Sequence, residues 1–190
     1  MTVFATILLA CAVVLIAYLV MIYNSLIQVK HDVSKAWANI DILLKQRHDE
    51  LPKLVETCKQ YMAFEQDTLQ KVIDARSRVF SASQSRDVRA LGSAEAGLRA
   101  SVGSLFAVAE QYPDLKTSRT FTQLQARISG LENAIADRRE FYNETVNINN
   151  VRIEQFPDLF VARFCNMTAA QLLEFDAAAK TDVDVKELFK

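Results

Sequence analysis

The sequence predicts an all-α protein with an N-terminal transmembrane helix, an antiparallel four-helix bundle and a short C-terminal tail. Three observations support this prediction. The 190 residues include only four glycines and three prolines, against a usual share of ~12%, which favours long helices. An apolar segment without charged residues opens the chain, and apolar residues spaced by three and four follow it, as is typical of helices with one buried face.

The apolar segment predicts a membrane anchor. All 22 Lys and Arg residues and all 23 Asp and Glu residues lie at or after Lys30. Val3 to Tyr23 supplies the ~20 apolar residues that a helix needs to cross a bilayer. A cleaved secretory signal would instead show a basic start and a small-residue cleavage motif. We therefore expect residues 3–23 to lie in the lipid bilayer as an uncleaved anchor.

Basic residues predict the orientation of this anchor. Lys30, Lys35, Lys45 and Arg47 follow the span closely, and no Lys or Arg precedes it. Because basic residues resist translocation, we expect a single-pass membrane protein with its C-terminal body in the cytoplasm and its N-terminus outside.

The first body helix continues from the span. Its apolar positions are Leu26, Val29, Val33, Ala36, Ile40 and Leu43. Basic residues such as Arg47 suit the last turn of a helix, Asp49 suits an N-cap, and Pro52 is tolerated within a first turn. These features predict a break at residues 48–50. One long helix that kinks at Pro52 is the alternative.

Three more helices follow in the same pattern. The second carries an apolar stripe from Leu54 to Val79 and is predicted to end in a turn at residues 81–85. The third begins at Val88 and stops before Pro113, since proline disfavours a helical conformation in the preceding residue.

The fourth helix has the longest pattern. Thr117 or Ser118 can cap it, its stripe runs from Phe121 to Phe156, and Pro157 ends it. Four amphipathic helices bury their stripes against one another, with coiled-coil-like crossing angles.

The predicted domains follow from these helices. We expect the anchor in residues 1–28, the bundle in 29–157 and a tail in 158–190 that packs on the bundle. A short helix at residues 169–178 is predicted within the tail.

Several charged residues, Arg47 among them, fall on the buried stripes. A lone buried charge costs several kcal/mol, so these residues must pair or reach solvent. We expect an internal network that fixes helix register, while a ligand or metal site is the alternative. The candidate network comprises Glu65, Arg76, Glu95, Glu132 and Arg138.

Two predicted turns lie at the membrane-distal end of such a bundle, where a cytosolic partner would dock. The candidate interaction surface comprises His48, Asp49, Glu50, Tyr112 and Asp114.

Motifs of known chemistry are absent from the sequence. His31 and His48 are the two histidines, and no Glu-x-x-His pair, Gly-x-Ser-x-Gly elbow, phosphate loop or Cys-x-x-Cys occurs. A net charge of −1 with interspersed signs argues against nucleic-acid binding. We expect no catalytic residue, metal or cofactor, and buried reduced thiols at Cys58 and Cys165. A metal- or ligand-dependent enzyme or sensor that uses His48, Asp49 and Glu65 is the alternative function.

Ordered motifs give the chain a family resemblance from about Tyr23 to Pro157. They are Tyr23-Asn24, Ala36-Trp37, Leu44 to Val55, Ala75-Arg76, Glu110 to Lys116, Phe121 to Gln125, Glu132-Asn133, Arg138 to Asn143 and Phe156-Pro157. Together they resemble the LemA family of bacterial membrane proteins. Gln46, Cys58 and Phe64 depart from the family pattern, which argues against a metal or proton role in their region.

The resemblance implies an anchored helical bundle and brings no established reaction. Relatives in the family are linked with membrane-organelle formation, and their genes often neighbour a membrane metalloprotease. We expect a scaffold or interaction module at the bacterial inner membrane. Its partner is an unidentified membrane or cytosolic protein, with a membrane protease as one candidate, and self-association is compatible with this function.

Overall fold

The computed structural model describes residues 2–174, and all the regular structure in this range is helical. This confirms the all-α class, while the antiparallel four-helix arrangement stays a prediction. The helices are α1 (Thr2–Lys59), α2 (Gln66–Ser85), α3 (Val88–Ala109), α4 (Pro113–Thr117), α5 (Arg119–Glu154) and α6 (Asp158–Phe164).

Helix α1 carries the apolar segment. Near its N-terminus it contains a stretch that is long and apolar enough to cross a membrane, with a mean hydropathy of 2.9. None of this stretch is buried within the protein. Exposed apolar side chains over such a length suggest a membrane-anchoring helix.

The predicted break at residues 48–50 is wrong, because α1 continues without interruption to Lys59. The alternative prediction, one long helix through Pro52, is confirmed in that the helix is continuous. Pro52 lies inside this helix and removes one backbone hydrogen bond from it. A side chain of α2 replaces that bond, as described below, and this compensation allows the helix to continue.

The chain instead makes its first turn at residues 60–65. The Met62 amide donates to the Cys58 carbonyl oxygen at 2.8 Å, and both side chains are fully buried. This turn contains neither glycine nor proline, and so no local residue pattern predicts it.

The predicted turn at residues 81–85 is also misplaced. Helix α2 continues through Ser85, and Arg86 ends it in the left-handed region with φ 53°. The Asp87 carboxylate then accepts from the Ala90 amide at 2.9 Å, which caps α3.

The predicted limits of the later helices are confirmed. Helix α3 ends before Pro113, and Pro113 opens the short α4. The Ser118 hydroxyl accepts from the Phe121 amide at 3.5 Å, at the start of α5. Helix α5 ends before Pro157.

The tail departs from the predicted helix at residues 169–178. Residues 169–174 are not helical, and residues 175–178 lie outside the described range. Asn150 donates to the Ala170 carbonyl oxygen and accepts from the Ala170 amide, each at 2.9 Å. The Tyr142 hydroxyl donates to the Gln171 carbonyl oxygen at 3.0 Å. Side chains of α5 therefore satisfy backbone groups that a helix would have paired internally.

The described chain forms two compact units. One comprises residues 2–40 and 138–172, and the other comprises 41–137 and 173–174. The predicted domain limits at residues 28 and 157 stay predictions.

Each unit has its own apolar core. The first contains a buried cluster of Ile22, Leu26, Ile153 and Ala162. The second buries large aliphatic side chains, namely Leu51, Leu54, Met62, Leu91, Leu98, Leu105, Leu115 and Ile128.

Candidate functional site

A polar contact forms in the second unit around the backbone group that Pro52 leaves unpaired. Proline has no N–H, so the carbonyl oxygen of His48, four residues earlier, loses its helical partner. The Nε of Arg76 on α2 donates to this oxygen at 2.9 Å. A second guanidinium nitrogen of Arg76 lies 2.6 Å from Nε2 of the His48 ring. Arg76 thus binds both the backbone and the side chain of His48.

This contact fixes the tautomer of His48. Because arginine only donates hydrogen bonds, Nε2 must accept, and the ring proton lies on Nδ1. Nδ1 is buried and meets no hydrogen-bond partner within residues 2–174. The ring of Phe80 stacks on the imidazole, with centroids 4.5 Å apart and planes inclined by 28°.

The surroundings favour a neutral imidazole. Burial and the positive charge of Arg76 lower the pKa of His48, while Asp49 opposes them. Burial disfavours the charged form, and a neighbouring cation acts in the same direction. His48 therefore acts here as an acceptor toward Arg76 and as a buried N–H donor.

A small cavity of about 260 Å³ adjoins this contact. His48, Arg76 and Phe80 line it together with Asp41 and Ser83, whose hydroxyl donates to the Asp41 carboxylate at 2.6 Å. Ligand pockets measure roughly 300–1,000 Å³, so the cavity is at the small end and suits a small molecule or ordered water.

A second polar cluster joins α1, α3 and α5. Arg47 and Glu95 form an ion pair in which both residues are buried. Glu132 is half-buried, and its Oε1 atom meets no hydrogen-bond partner in the described residues. Burial raises the pKa of Glu132, the Glu95 charge adds to this effect, and Arg47 and Arg99 oppose it. The guanidinium of Arg47 is therefore close to both carboxylates, and that of Arg99 also acts on Glu132.

Two turns meet at a third contact. Tyr112 lies just before α4, and Glu65 lies just before α2. The Tyr112 hydroxyl donates to the Glu65 carboxylate at 3.3 Å. Beside Glu65, Phe64 is 97% exposed and Tyr61 is 40% exposed. We call Tyr61, Phe64, Tyr112 and Asp114 the turn surface.

The structure separates the predicted buried network. Arg76 contacts His48, Glu95 pairs with Arg47 near Glu132, and Glu65 binds Tyr112. Arg138 is exposed. Pairing thus follows the rotation of each helix, which the stripe pattern did not reveal.

The predicted interaction surface is also divided. Asp49 and Asp114 are exposed, whereas Glu50 is only 5% exposed and accepts from Lys53 and Arg127 at 3.2 Å each. Because residues 48–50 are helical, the turn that accompanies Tyr112 is the one at residues 60–65. The sequence patterns do not predict Phe64 or Phe80 as site residues. The only signal at either position is that Phe64 departs from the LemA family pattern.

The described chain holds no grouping of three or more His, Cys, Asp and Glu side chains suited to a metal. Cys58 is buried as predicted, and burial raises the pKa of its thiol to about 12. Cys165 is only half-buried, so the expectation of burial is wrong for that residue.

Comparison with known proteins agrees with the sequence motifs. The profile of the LemA family matches residues 36–186. Magnetosome protein MamQ 2 of Paramagnetospirillum magneticum is 23% identical, over 94% of this chain and 74% of the relative. MamQ of Magnetospirillum gryphiswaldense is 21% identical with the same coverage. Protein LemA of Metamycoplasma hominis is 27% identical, over 87% of this chain and 74% of the relative.

Proposed function

The chain belongs to the LemA family, and from this premise we propose that it is a membrane-anchored interaction module without a catalytic step of its own. Its apolar span holds it in the bacterial inner membrane, and its helical body binds another protein in the cytoplasm. The names of two relatives refer to the magnetosome.

The apolar part of α1 supports the membrane placement. Residues 2–21 are exposed but for Ala12, which is half-exposed. Water would solvate such a surface poorly, whereas lipid acyl chains match it. The basic residues after the span favour a cytoplasmic body.

The turn surface supports the binding role, and Phe64 is the single observation that carries it. Phe64 is 97% exposed, and its burial by a partner would lower the free energy of the system because apolar surface leaves water. The contact between Glu65 and Tyr112 holds the adjoining turns together. Aromatic side chains in a pre-organised setting are typical binding anchors.

A photo-crosslinking amino acid at position 64 tests this proposal in intact cells. We expect it to capture a specific protein, such as a membrane protease or another membrane component. The matched control is the same substitution at Phe141, which is 49% exposed on α5. Equal capture at both positions would contradict docking at the turn surface.

A second experiment separates docking from folding. Phe64→Ser should reduce recovery of the captured partner from solubilised membranes, whereas Phe141→Ser should not. Circular dichroism of both variants checks that the helical content is unchanged. Unchanged recovery with Phe64→Ser would show that the partner binds elsewhere.

The alternative metal-dependent function gains no support from the geometry. His48 binds Arg76 and Glu65 binds Tyr112, so the two candidate ligands serve different contacts. Metal analysis of the purified full chain tests this assignment. Stoichiometric metal that disappears in His48→Ala would overturn it.

A further inference from the structure

We propose that α6 and the turn before it form a second membrane contact, in which Phe156, Phe160 and Phe164 enter the lipid leaflet beside the span. Acyl chains then fill a groove between α6 and α1. The inference rests on the proposed membrane anchoring of α1, and it adds a lipid-binding surface that is separate from the turn surface.

Three exposed phenylalanines lie in α6 and in the turn just before it. Phe156, Phe160 and Phe164 are 74%, 65% and 89% exposed. Phe160 and Phe164 are four residues apart in the helix and so lie on the same side of it. Phe156 lies in the turn before the helix, and its ring meets that of Phe160 edge to face with centroids 5.8 Å apart. Three exposed aromatic rings in one short segment indicate an interaction site.

The opposite side of α6 is fixed to its own unit. Ala162 is 1% exposed and belongs to the cluster of Ile22, Leu26 and Ile153. At the start of the helix, Asp158 pairs with Arg152, which also donates to the Ser25 hydroxyl at 3.2 Å. Packing and polar contacts together therefore set the rotation that turns the phenylalanines outward.

An apolar groove of about 610 Å³ runs between α6 and the span. Its walls include Ile16, Leu19 and Val20 from α1, and Phe160, Val161 and Phe164 from α6. Water in such a groove would find few hydrogen-bond partners, so an apolar occupant is favoured.

The depth of the groove identifies this occupant as lipid. With a rise of ~1.5 Å per residue, Ile16 lies about 10 Å along the helix from Tyr23, the end of the predicted span. The α1 wall of the groove is therefore part of the surface that acyl chains must cover. Because the α6 wall faces the same space, the same lipids reach Phe160 and Phe164.

The polar group on α6 agrees with an interfacial position. Arg163 is exposed between Phe160 and Phe164 along the chain. Its long stem allows the guanidinium to reach lipid phosphates while the neighbouring rings lie deeper. Aromatic side chains with a basic neighbour are typical of helices that lie in the membrane interface.

Tryptophan quenching in vesicles tests the inference on the full chain. Trp37→Phe removes the single native tryptophan, and Phe160→Trp or Phe164→Trp is then introduced. The probe is a vesicle of phosphatidylcholine and phosphatidylglycerol, with and without phosphatidylcholine that carries bromine on its acyl chains. Val14→Trp reports the span, and Phe64→Trp, also an exposed phenylalanine position, is the control.

We expect quenching at positions 160 and 164 to be comparable to that at 14 and several-fold greater than that at 64. Quenching at 14 alone would overturn the inference and leave the anchor intact. Absence of quenching at 14 as well would overturn both proposals. Emission at 160 that is shielded from bromine and varies with the ratio of protein to lipid would assign the groove to a second copy, against lipid.

Discussion

Arg76 supplies the hydrogen bond that Pro52 removes from α1. Its Nε donates to the His48 carbonyl oxygen at 2.9 Å, the group that an ordinary residue at position 52 would have paired. The interior proline is thus accommodated by a residue of another helix.

Removal of Arg76 should therefore destabilise the fold in a way that depends on Pro52. We expect Arg76→Ala to lower the free energy of unfolding by about 1–3 kcal/mol, since it leaves the partly buried His48 carbonyl without its donor. In a Pro52→Ala background the restored N–H pairs that carbonyl, and the loss should be smaller. Urea unfolding of the full chain in detergent, followed by circular dichroism, measures both.

The control for this cycle is Arg78→Ala, at an exposed position of the same helix. It should change the free energy of unfolding by less than about 0.5 kcal/mol. Equal losses for Arg76→Ala in the two backgrounds would contradict the link between Arg76 and Pro52.

The neutral state of His48 predicts a pH dependence of stability. Burial and Arg76 lower the pKa of His48 in the folded state, so the unfolded chain binds more protons between that value and the ordinary pKa of about 6.5. The free energy of unfolding should therefore fall as the pH drops below about 6.5 and level off below the folded pKa. Unfolding midpoints measured across this range report the effect.

His48→Gln should remove this part of the pH dependence. His31→Gln is the control, because His31 is exposed and its substitution should leave the slope unchanged. A slope that persists in His48→Gln would assign the pH dependence to other groups.

Removing the charge of Glu95 and removing that of Glu132, the two acids near Arg47, should change the free energy of unfolding in opposite directions. Glu95 is the buried partner of Arg47, and Glu95→Gln should cost about 3–5 kcal/mol because it breaks a buried ion pair. The pKa of Glu132 is raised in the folded state, so its ionised form is disfavoured there. Glu132→Gln should increase the free energy of unfolding at neutral pH.

The gain in Glu132→Gln has a defined pH limit. A group with a raised folded pKa stabilises the protein below its unfolded pKa, and this contribution disappears as the pH rises through the folded value. The advantage of Glu132→Gln should therefore shrink as the pH falls and vanish well below about pH 4, where the wild-type carboxyl is protonated in both states. A loss of stability at neutral pH would show that the ionised Glu132 is favourable.

Two glycines of α3 should give opposite effects when replaced by alanine. A Cβ at Gly92 would lie 2.0 Å from the carbonyl oxygen of Glu174, whereas a Cβ at Gly97 meets nothing within 4 Å. We expect Gly92→Ala to cost about 1–3 kcal/mol through steric conflict and Gly97→Ala to gain up to about 1 kcal/mol from helix propensity. Thermal unfolding of both variants measures the contrast, and equal gains would show that Glu174 is not close to Gly92.

Local signals predicted much of the helical architecture. The charge-free segment correctly predicted a long apolar helix at the N-terminus. Pro113, Ser118 and Pro157 correctly marked the limits of later helices. Each of these signals acts on residues only a few positions away, which is why the sequence alone predicted these helix limits.

Long-range compensation accounts for the errors. Pro52 and Asp49 indicated a helix break, but the Arg76 side chain that prevents it lies 24 residues after Pro52 along the chain. The turn at residues 60–65 depends on burial of Met62, and the pairing of Arg47 with Glu95 depends on helix rotation. None of these is encoded by a local motif.

The reciprocal bonds between Asn150 and Ala170 make a side-chain amide imitate a peptide group. Position 150 must then supply both a donor and an acceptor at the same distance from the backbone. Aspartate has no N–H donor, and the side chain of glutamine is one methylene too long. Position 170 contributes only main-chain atoms, so these two bonds do not depend on its side chain, except that proline would remove the N–H. We therefore expect related chains to retain asparagine at position 150 and to vary in the residue at position 170.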